Sequence, residues 1–193
     1  MNILILNGSP HVNGNTMAMV NAFADGAREK GHTIEIVHVY RKNIAGCLGC
    51  EYCHNKNYGV CVQKDDMQEI YKALEQAEVM ILASPMFFNN ISGPLQSAIS
   101  RIYAMGKPEK LKKCAMFLSS RIDGIYEGIM EIHKITTKIM GVEDIGVITS
   151  VGEQNSILER RKEMIEHGFV SEKLNVGVIK EKLDEIREFG RRL

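Results

Sequence analysis

Short, nearly uninterrupted aliphatic runs recur along this chain, each followed by a stretch with helical spacing of apolar side chains, and that alternation leaves few folds open. The first run, Asn2 to Leu6, ends in Asn7-Gly8-Ser9-Pro10, a strand buried on both faces that runs into a turn. Thr16 to Lys30 reads as a helix: Met17, Val20, Ala24 and Ala27 recur every three or four residues, Asn15 or Asn13 can cap its start, and Gly31 can end it. Thr33 to Tyr40 is a second β-branched run. Strand, helix and strand in that order predict a right-handed parallel crossover. Further strands are expected at Val79 to Ala83, Cys114 to Leu118 and Asp144 to Thr149. Helices are expected from the capping-box pattern Asp66-Met67-Gln68-Glu69 to Ala77, then at Ser92 to Met105, Ile125 to Met140, Glu153 to Glu166 and Ser171 to Phe189. The expected architecture is α/β, a doubly wound five-stranded parallel sheet with helices on both faces. One domain over 1–193 is expected, with a Cys-rich insertion at about 46–63 and carboxyl-terminal helices at about 153–190.

Charge narrows the function. Lys plus Arg number 24 and Asp plus Glu 24, a formal net charge of zero, so no surplus positive field exists to hold nucleic acid or anionic lipid. No apolar run approaches the roughly 18 residues of a membrane helix, and no basic residues precede the first one. A cytoplasmic location is expected, with neither nucleic acid nor membrane as partner. In that reducing compartment clustered thiols bind metal or do redox chemistry more often than they form disulfides. Four of the five cysteines fall between Cys47 and Cys61.

In a doubly wound sheet the ligand crevice lies beyond the carboxyl ends of the strands, where strand order reverses. Three loops should meet there: Asn7 to Thr16, Ser84 to Ile91 and Ser119 to Gly124. The first carries two glycines, hydroxyls and amides into a helix amino terminus, where exposed N–H groups and the helix dipole attract an anion. Five residues separate Gly8 from Gly14 and no Lys follows, which excludes a Walker loop; G-x-G-x-x-G is absent too. His11 is the loop's only titratable residue. The loop therefore reads either as a cradle of neutral donors for one terminal phosphate or as an ordinary capped turn.

The cysteines follow C-x2-C-x2-C-x7-C through Cys47, Cys50, Cys53 and Cys61. Three thiolates two residues apart can wrap one compact centre, with the fourth closing it, a pattern nearer to 4Fe-4S ligation than to the paired ligands of structural zinc. His54 keeps zinc open, and thiols holding neither remain a third reading. Cys114, alone in a strand, reads as a small buried hydrophobe. The sequence holds no H-E-x-x-H and no evident Ser-His-Asp arrangement; Asp65-Asp66 reads as a helix cap. Arg160-Arg161-Lys162 and Arg191-Arg192 read as solvated helix faces.

Gly8-Ser9-Pro10, Gly14-Asn15-Thr16 and Ser84-Pro85-Met86-Phe87-Phe88 leading into Gly93-Pro94-Leu95-Gln96 together resemble the flavodoxin-like NAD(P)H-dependent FMN reductases. With the cysteines and Lys64-Asp65-Asp66-Met67 included, the chain is most similar to their iron-sulfur flavoprotein branch. The resemblance covers residues 2 to about 150. It implies a sheet of order 2-1-3-4-5, FMN as cofactor and NAD(P)H as co-substrate. It places the phosphate on Ser9, Pro10, His11, Asn15, Thr16 and the amide of Met17. It sets the flavin ring against Pro85, Met86, Phe87, Phe88, Asn89 and Asn90, with Ser119, Ser120 and Arg121 closing the other side. It also implies a 4Fe-4S cluster on the four loop cysteines, redox donors and acceptors as partners, and a homodimer or homotetramer. Three positions depart from the family pattern. His11 stands where relatives commonly have Arg, Phe87 where they often have Tyr, and the third loop lacks the paired glycines of quinone-reducing cousins. Met86, Phe87 and Phe88 also have a plainer reading as core. A non-enzymatic flavodoxin-type electron carrier and a zinc-stabilised binding module with an empty crevice are the rival functions.

Overall fold

The computed structural model describes residues 1–152 and 178–193. Strands β1 (Asn2–Asn7), β2 (Thr33–His38), β3 (Val79–Phe87), β5 (Lys113–Ser120) and β6 (Glu143–Val151) run parallel in the order β2-β1-β3-β5-β6. A two-residue strand, β4 (Asn90–Ile91), pairs antiparallel with the end of β3. Counting only the parallel strands, the order is the flavodoxin-like 2-1-3-4-5, as expected from the sequence.

Alternation along the central strands sorts two cores, because successive strand side chains face opposite ways. Ile3, Ile5, Ile81 and Phe117 join Phe23 of α1 (Asn15–Glu29) and Ile186 of α6 (Lys180–Arg191) on one face. Leu4, Leu6, Met80 and Leu118 join α3 (Met67–Gln76), α4 (Gly93–Ile102) and the start of α5 (Glu127–Met140) on the other. Helices α1 and α6 meet backbone to backbone: a Cβ on Gly26 would strike the carbonyl of Arg187, and one on Gly190 that of Phe23. Phe23 stacks edge-on to Phe117 at 5.3 Å, and Glu29 binds both Arg187 and Arg191. Arg191 is thus part of a helix contact rather than a purely solvated face.

Several boundaries differ from the sequence reading, each for a local reason. β3 continues through Ser84 and Pro85 to Phe87 because the ladder with β5 carries on, Ser84 beside Leu118 and Pro85 beside Ser119, after the aliphatic run has stopped. The β3–β4 hairpin lacks the usual Asn-Gly signal; Phe88 and Asn89 supply the two left-handed residues at φ 50° and 60°. Gly14, in extended conformation, caps α1 in place of Asn15 or Asn13, with no side-chain cap bond. The capping box at Asp66 does not form: Asp65 Oδ1 accepts from the Met67 amide at 3.2 Å, while Asp66 turns to the Asn43 amide at 2.7 Å. Within the Cys segment a short helix, α2 (Tyr52–Asn55), interrupts the expected loop. The helix expected at 153–166 and the first part of that at 171–189 lie outside the described residues, as do Arg160, Arg161 and Lys162. No described helix is long and apolar enough to cross a membrane.

Candidate functional site

The carboxyl ends of β1, β3, β5 and β6 frame a cleft of about 310 Å³, lined by Ser9, His11, Asn15, Thr16, Pro85 to Phe87, Ser119 to Arg121 and Gly152. All three loops singled out in the sequence contribute. Within the first, Ser9 donates its amide to Asn7 Oδ1 at 2.9 Å and receives the His11 amide on its hydroxyl at 3.2 Å. That local turn carries the chain into α1, whose first amides have no acceptor within the helix and no side-chain cap. Thr16 is buried against Ser119, hydroxyl to hydroxyl at 2.7 Å, and Asn15 donates to the Gly152 carbonyl at 2.6 Å. Ser120 meets the Tyr126 hydroxyl at 2.5 Å, and Tyr126 donates on to the Ser150 carbonyl at 3.0 Å. Burial pushes the Tyr126 hydroxyl up from its ordinary pKa, with Asp123 adding to the shift and Ser120 opposing it.

His11 and Arg121 are the titratable side chains in this lining. The rest of the lining offers neutral hydroxyls, amides and a helix amino terminus, a donor set that suits one anionic group with an aromatic body. An uncapped helix start beside a cleft of ligand size fits FMN.

Pro10, Met17, Phe88, Asn89 and Asn90 lie outside the lining. Met17 instead accepts on sulfur from Asn7 at 3.3 Å. Phe88 stands wholly in solvent, 106% exposed at positive φ, a strained position for a bulky residue. Neither Phe87 nor Phe88 is core, so the plainer reading of that pair does not hold. Gly152 and Tyr126 escaped the sequence reading; a glycine directly after the last strand was the available signal for the first.

A second region lies where the Cys segment folds onto α4. Cys47, Cys50, Cys53 and Cys61 line one small pocket with Glu51, Arg101 and Tyr103. Cys47 and Cys50 are exposed, Cys53 and Cys61 buried, and all are free thiols. Burial pushes the Cys53 thiol up, and Cys61, Glu51 and Cys47 act in the same direction. Glu51 accepts from the Tyr103 hydroxyl at 3.0 Å and the His54 ring meets the Tyr103 ring edge-on at 4.6 Å, tying α2 to the end of α4. Among the described residues no three Cys, His, Asp or Glu side chains converge on a point as a metal site requires. The donor set, four thiols on one pocket, is what matches an iron-sulfur centre.

Arg101 fastens this segment at both ends. Its guanidinium donates to the Ala45 carbonyl at 2.9 Å and to Asp65 at 2.7 and 3.2 Å, and Asp65 accepts the Ala45 amide at 3.1 Å. Burial pushes Asp65 up, but Arg101 and the amides of Ala45 and Met67 outweigh it and hold the carboxyl below its ordinary value. Burial works to lower Arg101, and Asp65 overcomes it, so the guanidinium is held charged. Cys114 is buried inside β5, its thiol pushed far up by burial.

A strand order of 2-1-3-4-5 with a cleft at its reversal defines a flavodoxin-like α/β protein. The family profile described as NADPH-dependent FMN reductase matches residues 1–148, and the chain belongs to that family. It is 36% identical over 105 residues to an iron-sulfur flavoprotein of Archaeoglobus fulgidus, covering 54% of this chain and 47% of the relative. It is 33% identical over 133 residues to an iron-sulfur flavoprotein of Methanocaldococcus jannaschii, covering 68% of this chain and 66% of the relative. The matched stretches span about half to two thirds of these relatives' lengths. In structure the chain is similar to an NAD(P)H:quinone oxidoreductase of Methanothermobacter marburgensis, with a TM-score of 0.67 at 17% identity over 100% of this chain and 96% of the other.

Proposed function

We infer that this chain is an FMN-dependent oxidoreductase that takes reducing equivalents from NAD(P)H or another reduced donor and passes them to an acceptor, with a 4Fe-4S cluster on the Cys loop as relay. The cleft carries the reading: uncapped first-turn amides of α1 beside buried hydroxyls, at the reversal of strand order. FMN, when bound, supplies hydride acceptance and the release of single electrons. The protein's own residues bind and orient. Ser9, Asn15, Thr16 and the α1 amides hold the phosphate, with Pro10, His11 and Met17 shaping the turn around it. Pro85 to Asn90 align the ring against the end of β3, and Ser119 to Arg121 close the opposite side and limit water.

The names of the curated relatives support the iron-sulfur assignment, and four thiols on one pocket give it a donor set. Cys47, Cys50, Cys53 and Cys61 would be the ligands. Free thiols suit a reducing cytoplasm. A homodimer or homotetramer is favoured by the exposed stripe Ile132, Ile135 and Ile139 on α5 and by Phe88 at the hairpin tip, since apolar groups so placed call for a covering surface.

Titration of the purified protein with FMN, followed by quenching of flavin fluorescence, tests the cleft. Saturable binding at micromolar FMN, with bleaching of the yellow band on anaerobic addition of NADPH or NADH, is the expected result. A protein that refuses FMN at that concentration is not a flavin enzyme.

A further inference from the structure

Away from the cleft, a pocket of about 290 Å³ lies between α4, α5 and the sheet, and it shares no lining residue with the cleft. Met80 and Leu82 of β3, Ile99 and Ile102 of α4, and Ile139 and Met140 of α5 give it apolar walls. Its hydroxyl groups are already spent. Ser100 donates to the Ser97 carbonyl at 2.7 Å, Thr136 to the Ile132 carbonyl at 2.8 Å and Thr137 to the His133 carbonyl at 3.1 Å, each within its own helix. The Tyr103 hydroxyl donates to Glu51 at 3.0 Å. These side chains therefore offer the pocket mainly methyl, methylene and ring surface. His133, 2% exposed, has Nε2 3.2 Å from Asp144, and burial holds the ring below its ordinary pKa, uncharged near neutral pH.

An ordered water needs several polar partners, so a wall with its hydroxyl protons committed favours an apolar occupant, and a dry cavity of about 150 Å³ already takes benzene. The larger volume here suits two fused rings. Met80, Met140 and the Tyr103 ring make polarizable contacts that favour an aromatic body. Charge is confined to one place. Lys107 is the one lining residue with a full charge among the described residues, and no carboxylate joins it. It is exposed, at the rim, and its ammonium gives one N–H to the Gly141 carbonyl at 3.2 Å; an ammonium has further donors to give.

We propose that this pocket is a second binding site, for a two-ring aromatic molecule bearing one anionic group: the rings lie among Met80, Ile102 and Met140, and the anion meets Lys107 at the mouth. The site is independent of the flavin reading. It adjoins the Cys segment, because Ser100 accepts the Cys47 amide at 3.1 Å and Tyr103 lines both pockets.

The test is calorimetric titration of the full chain, in excess FMN to keep the cleft occupied, with naphthalenesulfonate and with naphthol as its neutral counterpart. Wild type is expected to take one naphthalenesulfonate per chain with a dissociation constant below about 1 mM. Thr136→Trp, which fills the pocket from a half-buried position on α5, is expected to weaken both probes at least about tenfold and to leave the FMN titration unchanged. Lys107→Gln is expected to weaken the sulfonate about threefold, the scale of an exposed charge pair, and to leave naphthol at its wild-type affinity. No binding by wild type, binding that survives Thr136→Trp, or a Lys107→Gln that treats the two probes alike overturns the proposal. Probe binding that weakens as protein concentration rises assigns the pocket to a second copy of the chain and overturns it as well. If Thr136→Trp does not fold, as judged by circular dichroism, Ile99→Trp from α4 takes its place under the same criterion. A chain that refuses FMN yet meets these expectations loses the flavin reading and keeps this one.

Discussion

The cleft at the strand ends and the Cys pocket are held by different physics. The cleft is assembled from strand ends: Thr16 meets Ser119 across 103 residues of sequence, and Asn15 reaches Gly152 across 137. Its walls are fixed by ladder hydrogen bonds that run the length of the sheet. The pocket is assembled from a segment with no apolar period, and its neck is tied by a small cluster centred on the buried Arg101–Asp65 ion pair, with the Ala45 and Asn43 backbone bound to it and to Asp66. Distributed support tolerates the loss of any one contact. Concentrated support does not, and Arg101→Met gives the largest expected effect. Breaking a buried pair by removing one partner leaves the other charge uncompensated and costs about 3–5 kcal/mol, read as a fall in urea stability. FMN affinity of the folded protein should stay at the wild-type value. A parallel loss of FMN binding would show that the two regions are one unit.

The reciprocal variant attacks the cleft. Gly8 follows β1 and gives its amide to Ala83 at 2.8 Å; a Cβ there would sit 2.8 Å from Leu95 Cβ and collide with the Ser92 hydroxyl. Gly8→Val should cost about 1–3 kcal/mol through overpacking. It should also push the first loop off α4 and weaken FMN binding at least about tenfold, or 1.4 kcal/mol. Iron uptake by the Cys segment should not change. Normal FMN titration with lost iron would invert the comparison. A finer probe is the Thr16–Ser119 hydroxyl pair: a cycle of Thr16→Val and Ser119→Ala should return a coupling of about 0.5–1.5 kcal/mol, the net worth of one hydrogen bond. Zero coupling in thermal unfolding would mean that the first and third loops are held independently.

The same contrast explains what could be read from the sequence. Strand order, the faces of the helices and the three cleft loops were legible because each rests on a repeated pattern, aliphatic runs for strands and three-to-four spacing for helices. The cleft residues came with them, since the ligand position follows from topology. The β3–β4 hairpin at Phe88 and Asn89 was not legible, because a turn made by Phe and Asn in left-handed conformation carries no glycine signal. The Arg101–Asp65 pair was invisible for another reason. Asp65, read with Asp66 as a helix cap, instead sits one residue before the N-cap and accepts the Met67 amide, and its second role needs a partner 36 residues away in sequence; no local pattern encodes such a pairing. Arg101 in turn occupies a position that helical spacing would assign only to a buried or half-buried face.

Acid should separate the two regions in a fixed order, and the effect is the smallest of those expected. His133 of α5 is buried against β5 and β6, with Nε2 3.2 Å from Asp144 Oδ1. Burial lowers its pKa, and Asp144 only partly opposes that, so the folded value lies below the ordinary one. The unfolded chain then takes up its proton first. The contribution of neutral His133 is complete above about pH 6.5 and declines as pH falls through that value toward the folded one. Asp65 is also held below its ordinary value, but for a carboxylate that value is about 3.9. Its contribution is complete above that pH and is lost only as pH falls through the depressed folded value. Hydrogen exchange, corrected for intrinsic rates, should therefore show peptides from 127–148 losing protection between about pH 7 and 5. Peptides from 43–66 should hold. His133→Gln, which cannot take a proton, should flatten the first profile and leave the second alone. If both segments loosen together in the wild type, the sheet edge beneath the cleft and the neck of the Cys loop open as one cooperative unit, and the division between distributed and concentrated support fails.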